Sequence, residues 1–195
     1  MSAGFKYNLN APDVVEELYD VQTGHRKRGA YRLTTTGLAI GSVLPNLTPV
    51  AVDLAKRTCV VVKNVKVMAE VASDATSVQI VKNSLVEVGM ILGTGTKGAK
   101  VTAIDKTKAT HDLLTLEAPF GEKVSAGQVL FEATAAGGTK PKNTANFLIY
   151  GHTKVESDIV LVALLMQAYE VQESKLILPI SDKDKETLTS RFQFE

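Results

Sequence analysis

Three kinds of residue in this chain could carry chemistry: a glycine-rich loop, three histidines and one cysteine. The loop, Gly93-Thr94-Gly95-Thr96-Lys97-Gly98, spells G-x-G-x-x-G. A dinucleotide site needs a helix after that loop, because the helix N-terminus supplies the positive end that holds a pyrophosphate. Here the following residues, Val101-Thr102-Ala103-Ile104, read as strand, and no Gly-Lys-Ser/Thr follows to make a P-loop. The loop therefore reads as the turn of a hairpin. His25, His111 and His152 stand far apart, with neither H-E-x-x-H nor C-x-x-C nearby. His111 and Asp112 are neighbours, but adjacent strand residues point to opposite faces and cannot work as base and orienter. Cys59 sits in Thr58-Cys59-Val60-Val61-Val62, the setting of a small buried hydrophobe. One cysteine forms neither an internal disulfide nor a multi-cysteine metal site. No Gly-x-Ser-x-Gly elbow appears. The chain reads as a non-enzyme without a cofactor.

One string imitates a modified carrier. Val88-Gly89-Met90-Ile91-Leu92, Ile104-Asp105-Lys106-Thr107-Lys108-Ala109 and Gly121-Glu122-Lys123-Val124-Ser125-Ala126-Gly127-Gln128-Val129-Leu130 resemble the two halves and central hairpin of lipoyl and biotinyl carrier domains. That resemblance implies a modified lysine at Lys106. Thr107 stands where the family has Ala, and the loop 93–100 lengthens the first gap. The carrier is the alternative reading. A glycan-binding module is a third, without tryptophan to support it.

The elements that must position these residues are mostly strands. At 195 residues, the chain is one domain, or one domain plus an arm, burying roughly 70% of its unfolded surface. With 45% hydrophobic and 22% charged residues it is globular rather than disordered. A net charge of +1 excludes a surface given over wholly to nucleic acid or anionic membrane. No apolar run approaches the ~20 residues of a membrane span. The N-terminus lacks an apolar signal core, which places folding in a cytoplasm and leaves the glycosylation pattern Asn46-Leu47-Thr48 without meaning.

From Thr34 onward, short β-branched runs alternate with Gly, Asn, Asp and Thr, and strands are expected over 39–43, 50–53, 58–62, 65–70, 77–82, 100–104, 112–117, 129–133, 146–150 and 159–165. The last run is continuous enough to be a buried helix as well, and strand is favoured. Strands this frequent predict a mainly β fold, an antiparallel sandwich or barrel-like domain over 37–195. Ser181, with Asp184 three residues on, predicts a short C-terminal helix running to about Ser190, followed by an alternating Phe192 and Phe194.

Residues 1–36 read as an extended N-terminal arm. Asn10 caps a short helix with Pro12 in its first turn and Asp13 at the reciprocal position; Thr23-Gly24 ends it. Val14, Val15, Leu18 and Tyr19 share a face, and a helix so short needs a partner surface. Beyond it lies the one basic cluster, His25-Arg26-Lys27-Arg28, with Arg32 close behind. No interleaved aromatics or second basic stripe suggest specific nucleic-acid binding.

A wider string carries a second resemblance: Leu44-Pro45-Asn46-Leu47-Thr48-Pro49-Val50-Ala51-Val52-Asp53, Val62-Lys63-Asn64-Val65-Lys66-Val67, Gly98-Ala99-Lys100-Val101-Thr102-Ala103-Ile104-Asp105, Asp112-Leu113-Leu114-Thr115-Leu116, Gly127-Gln128-Val129-Leu130-Phe131-Glu132-Ala133, Ala145-Asn146-Phe147-Leu148-Ile149-Tyr150, Val162-Ala163-Leu164-Leu165-Met166 and Leu176-Ile177-Leu178-Pro179-Ile180. In this order the segments, over roughly 33–195, resemble bacteriophage head-fibre or capsid-decorating proteins, especially of phages infecting gut Bacteroides-type hosts. The resemblance implies a structural virion protein on the capsid exterior, made in the host cytoplasm. Its expected partners are the major capsid protein, further copies of itself as a homotrimer, and other virion proteins; no membrane is expected. No long repetitive shaft is present, so a fibre base or compact decoration is implied. On that reading Val14, Val15, Leu18 and Tyr19 supply desolvated capsid contacts, and Arg26, Lys27, Arg28 and Arg32 supply orientation.

Overall fold

The computed structural model describes residues 17–195. Two β modules share the chain. The larger is an eight-stranded sheet built from β1 (His25–Arg26), β2 (Tyr31–Thr34), β4 (Pro49–Asp53), β5 (Thr58–Val61), β12 (Phe147–Ile149), β14 (Val160–Val162), β15 (Leu164–Val171) and β16 (Phe192–Phe194). Its order is β1-β15-β12-β4-β5-β2-β14, with β16 beside β15. Pairing is antiparallel except for β2 on β5 and β16 on β15. A two-stranded ribbon joins β3 (Val43–Leu44) to β13 (Thr153–Lys154).

The second module is inserted between β5 and β12. It consists of β6 (Asn64–Lys66), β7 (Ser77–Val81), β8 (Ile91–Gly93), β9 (Gly98–Asp105), β10 (His111–Leu116) and β11 (Val129–Glu132), in the order β6-β11-β8-β9-β10-β7. Val67, just past β6, bridges Ile80 of β7, and the Met68 N–H donates to Gln79 O at 2.8 Å. The two edges therefore meet, and the sheet curls into a barrel-like unit. Its interior is filled by alternate strand residues such as Val78, Ile80, Leu92, Val101, Leu114 and Leu130. The outward residues Ser77, Gln79 and Val81 of β7 are exposed.

The larger sheet is covered on both faces over β12 and β15. Phe147, Ile149 and Leu164 enter one cluster; Leu148 and Leu165 enter another, under the C-terminal segment. Burial on both sides explains the unbroken apolar pair Leu164-Leu165, whereas Ile159 and Leu161 of the same run are exposed. The expected mainly β, antiparallel architecture with one short C-terminal helix is thus present.

That helix is α1 (Asp182–Leu188). Ser181 accepts from the Asp184 N–H, and the Asp184 carboxylate accepts from the Ser181 N–H at 3.1 Å, completing the capping box. Asp184 does more than cap. It is 1% exposed and also accepts from Asn64 Nδ2 at 2.7 Å and the Ala145 N–H at 2.7 Å, so it ties the helix to the start of the barrel and to the approach to β12.

Three expectations need correction. Residues 39–43 are turns apart from Val43, with Gly37 and Gly41 at positive φ interrupting any strand. Glu17 to Asp20 is not helical; a single 3-10 turn, Val21–Thr23, follows, capped by Asp20, whose Oδ1 accepts from the Gln22 N–H at 2.9 Å. Asn10, Pro12 and Asp13, on which the expected helix began, lie outside the described residues. The described part of the segment read as an arm is woven into the sheet: β1 pairs with β15, and β2 runs between β5 and β14. No break in the fold falls at residue 36.

Candidate docking surface

The glycine-rich loop, His111, Asp112 and Cys59 each have structural surroundings that account for them. Gly93 and Gly98 face each other across the β8–β9 hairpin, and the Thr94 and Thr96 hydroxyls both donate to Glu122. Those hydroxyls, Thr94 first, hold the Glu122 carboxyl below its usual range. Asp112 is buried and paired with Lys82 Nζ at 2.8 Å, while His111, on the opposite face, meets the Thr110 hydroxyl at 3.0 Å. Burial pushes the Cys59 thiol up to about 12, so it is inert at neutral pH. Lys106 lies exposed between β9 and β10, its backbone O accepting from Lys82 Nζ. Among the described residues no group of three or more His, Cys, Asp or Glu could hold a metal.

The residues expected to dock divide into three groups. Val14 and Val15 lie outside the described residues. Leu18 and Tyr19 pack against the protein's own sheet. The Leu18 O accepts from the Gln172 N–H at 2.9 Å, and Tyr19, 7% exposed, enters the cluster with Leu165, Ala168 and Phe192. Burial, then the neighbouring Tyr150, raises the Tyr19 phenol, against a smaller opposing pull from Arg26. Tyr19 holds the entering chain in place, and Leu18 is half-buried against the same cluster.

Arg26, Lys27, Arg28 and Arg32 are brought together at the surface, and a fifth cation joins them. Arg26 lies over the Tyr150 ring at 4.9 Å. Lys27 is anchored through its N–H to Leu164 O at 2.8 Å. Arg57, in the β4–β5 turn, lies over the Tyr31 ring at 5.3 Å and donates from Nη2 to Ala30 O at 3.3 Å. Gly29 makes that approach possible: a Cβ there would come within 1.9 Å of Arg57 Nη2, and its φ of 86° suits only glycine comfortably. The turn is itself fixed by Asp53 Oδ1, which accepts from the Ala55 and Lys56 N–H groups at 3.0 Å each. Arg32 points outward from β2 beside Leu161 of β14, and helps line an open hollow of about 390 Å³ with Thr34, Thr36, Thr58 and Asp158.

None of Arg26, Lys27, Arg28, Arg32 and Arg57 is ion-paired with another described residue. Elsewhere some surface lysines find carboxylates, among them Lys63 with Glu87, Lys123 with Glu70, Lys142 with Glu132 and Lys154 with Glu156. Five cations without an ion pair to another described residue thus lie about β1, β2 and the β4–β5 turn. Stacking on Tyr31 and Tyr150 presets two of the guanidinium groups, so less side-chain entropy is lost when an anion arrives. Such a surface can orient an acidic partner; it holds no nucleophile or acid–base pair.

A family model described as head fiber protein matches residues 1–193. The chain belongs to the bacteriophage head fibre family. It is therefore a structural protein of a phage virion, as the string of β segments suggested. No curated protein and no solved structure matches it. Membership of the head fibre family lends no support to the carrier reading at Lys106.

Sequence reasoning missed Arg57 and Tyr150. Arg57 lies 25 residues or more from the basic cluster in the chain, and only the parallel pairing of β2 with β5 brings them together. Tyr150 gives no local signal of its stacking role.

Proposed function

We propose that this head fibre protein docks on the outer face of the phage capsid, as a fibre base or compact decoration, and does no catalysis. Its partner is an acidic surface of the major capsid protein, with further virion proteins in reach, and it acts as a homotrimer assembled in the host cytoplasm. The observation that carries the reading is the set of five neighbouring cations, Arg26, Lys27, Arg28, Arg32 and Arg57, none ion-paired with another described residue and two of them preset over Tyr150 and Tyr31. Rim charges of this kind guide encounter and fix register, and many copies on one shell multiply modest contacts.

Co-sedimentation with purified shells lacking the protein tests it. Arg26→Glu with Arg28→Glu, and Arg32→Glu with Arg57→Glu, should each weaken binding by roughly tenfold or more, about 1.4 kcal/mol. Wild-type binding should weaken as salt rises from 50 to 500 mM, values chosen to span the screening range. Binding indifferent to both charge reversal and salt would refute the proposal.

A further inference from the structure

The hollow of about 390 Å³ beside β2 is within the ~300–1,000 Å³ of small-molecule sites. Its polar lining is Arg32, Thr34, Thr35, Thr36, Thr58 and Asp158. β2 lies between β5 and β14, so Arg32 stands opposite Thr58 on one side and Leu161 on the other. Thr34, two residues on, points to the same outer face as Arg32. Thr35 and Thr36 lie in a turn closed by the Leu38 N–H, which donates to Thr35 O at 2.9 Å. Asp158 sits in a tight loop: the Ser157 hydroxyl accepts from the Ile159 N–H at 3.2 Å and donates to Ile159 O at 3.0 Å. Backbone pairing and turns therefore set the lining in advance.

The polar atoms of these six side chains are free. Among the described residues, the four threonine hydroxyls make no hydrogen bond, and neither Arg32 nor Asp158 forms an ion pair. Other threonines are engaged: Thr23 with Asp20 O at 2.7 Å, Thr48 with Pro45 O at 2.7 Å, Thr102 with Thr115 O at 3.0 Å and Thr187 with Ala145 O at 2.6 Å. One guanidinium and one carboxylate cancel in charge, so a phosphate or carboxylate gains little net attraction in the hollow. A neutral ligand rich in hydroxyls suits it, because each hydroxyl donates to Asp158 or accepts from Arg32 and the threonines. Leu161 lies beside Arg32, and the same register puts Ile159 beside Thr34. These two side chains, 62% and 65% exposed, give the C–H face of a ring an apolar wall.

We infer that this hollow binds a neutral pyranose sugar. The ring's C–H face lies on Ile159 and Leu161; Asp158 accepts from neighbouring hydroxyls, and Arg32 with the threonines donates to the remaining oxygens. The inference goes beyond capsid docking and does not rest on it. Arg26, Lys27 and Arg28 precede β2, whereas Thr34, Thr35 and Thr36 stand at its far end, so Arg32 is the one residue common to the cationic cluster and the hollow.

Amide NMR spectra of the full chain, titrated separately with glucose, galactose, mannose and N-acetylglucosamine, test it. At least one sugar should shift the signals of Thr34, Thr36, Thr58 and Asp158, with half-saturation at millimolar concentration. No shift from any of the sugars, or shifts confined to other residues, overturns the inference. Inorganic phosphate moving the same signals as strongly, at matched ionic strength, makes the hollow an anion site and overturns it too. For the sugar that binds, Asp158→Ala should weaken affinity by about tenfold and Thr34→Val by several-fold. Thr115→Val, on the outer face of the barrel, should leave affinity unchanged. Each variant's own spectrum reports whether it is folded. Unchanged affinity in a folded Asp158→Ala protein overturns the inference. Shell binding without sugar binding defeats this inference alone; sugar binding without shell binding defeats capsid docking alone.

Discussion

At the scale of single residues, two buried groups set what the molecule tolerates. Asp184 gathers the Ser181 hydroxyl at 2.5 Å, the Ser181 and Ala145 N–H groups and the Asn64 amide. Removing it leaves several buried donors unsatisfied, at about 1–3 kcal/mol for each group so stranded. Asp184→Ala should therefore lower the melting temperature by roughly 6–12 °C, from a loss near 3 kcal/mol and the usual 2–4 °C per kcal/mol at this size. A calorimetric scan of the variant against wild type checks this. Cys59 makes the opposite prediction, of silence. With its thiol pushed up to about 12 by burial, it should resist a thiol reagent at pH 8 in the folded protein and react fully in denaturant. The sequence showed both residues in outline: a β-branched setting for Cys59 and a capping-box spacing for Asp184. What stayed hidden were the partners, because Asn64 lies 120 positions from Asp184 and no local pattern marks a contact that distant.

Among the elements, the hairpin between β8 and β9 gives a pH prediction. Thr94 and Thr96 hold the Glu122 carboxyl below its usual value, so the ionised form is favoured in the folded loop. For a lowered carboxyl the contribution is fully present above the ordinary carboxylate range and is lost as pH falls through the folded value. The Lys97 N–H, which donates to Thr94 Oγ at 3.0 Å, should keep its hydrogen-exchange protection at neutral pH and lose it towards pH 3. In Glu122→Gln that acid-dependent loss should be absent. Strand identity was largely legible from β-branched runs, and β4, β5, β7, β9, β10, β11 and β12 fall on or within two or three residues of the expected spans. Several of the shortest elements were not. β1, β8 and β13 are too short to show a period, and β2, Tyr31–Thr34, sits beside a basic stretch that read as part of an arm. Pairing made it a strand: its neighbours β5 and β14 lie far away in the chain, and tertiary context overrode the local signal. Of the surface assigned to docking, the four cations were readable as a cluster. Leu18 and Tyr19 were readable only as apolar, and the sheet decided that they face inward.

The whole molecule is interleaved. Strands β1, β2, β4 and β5, together with β12 and β14 to β16, complete one sheet, and the barrel is spelled entirely between them. Nothing in a linear pattern announces that nesting, which is why the sequence suggested a single β domain after an arm. Ile80→Ala, in the barrel interior, and Leu165→Ala, in the larger sheet, each remove a fully buried side chain and should each cost about 3 kcal/mol. The sites lie in separate clusters, so the double variant should lose the sum within about 0.5 kcal/mol, measured by denaturant titration.

The nesting also orders birth. During synthesis the barrel has all its strands once residue 132 has emerged, while the outer sheet waits for β15, which stands between β1 and β12. Until then β1 lacks its only strand partner in the sheet order, and Lys27 has no Leu164 carbonyl to receive its N–H. A half-made chain therefore lacks the frame that holds Arg26 and Lys27 in place, and the cluster of cations is complete only when β15 has joined the sheet.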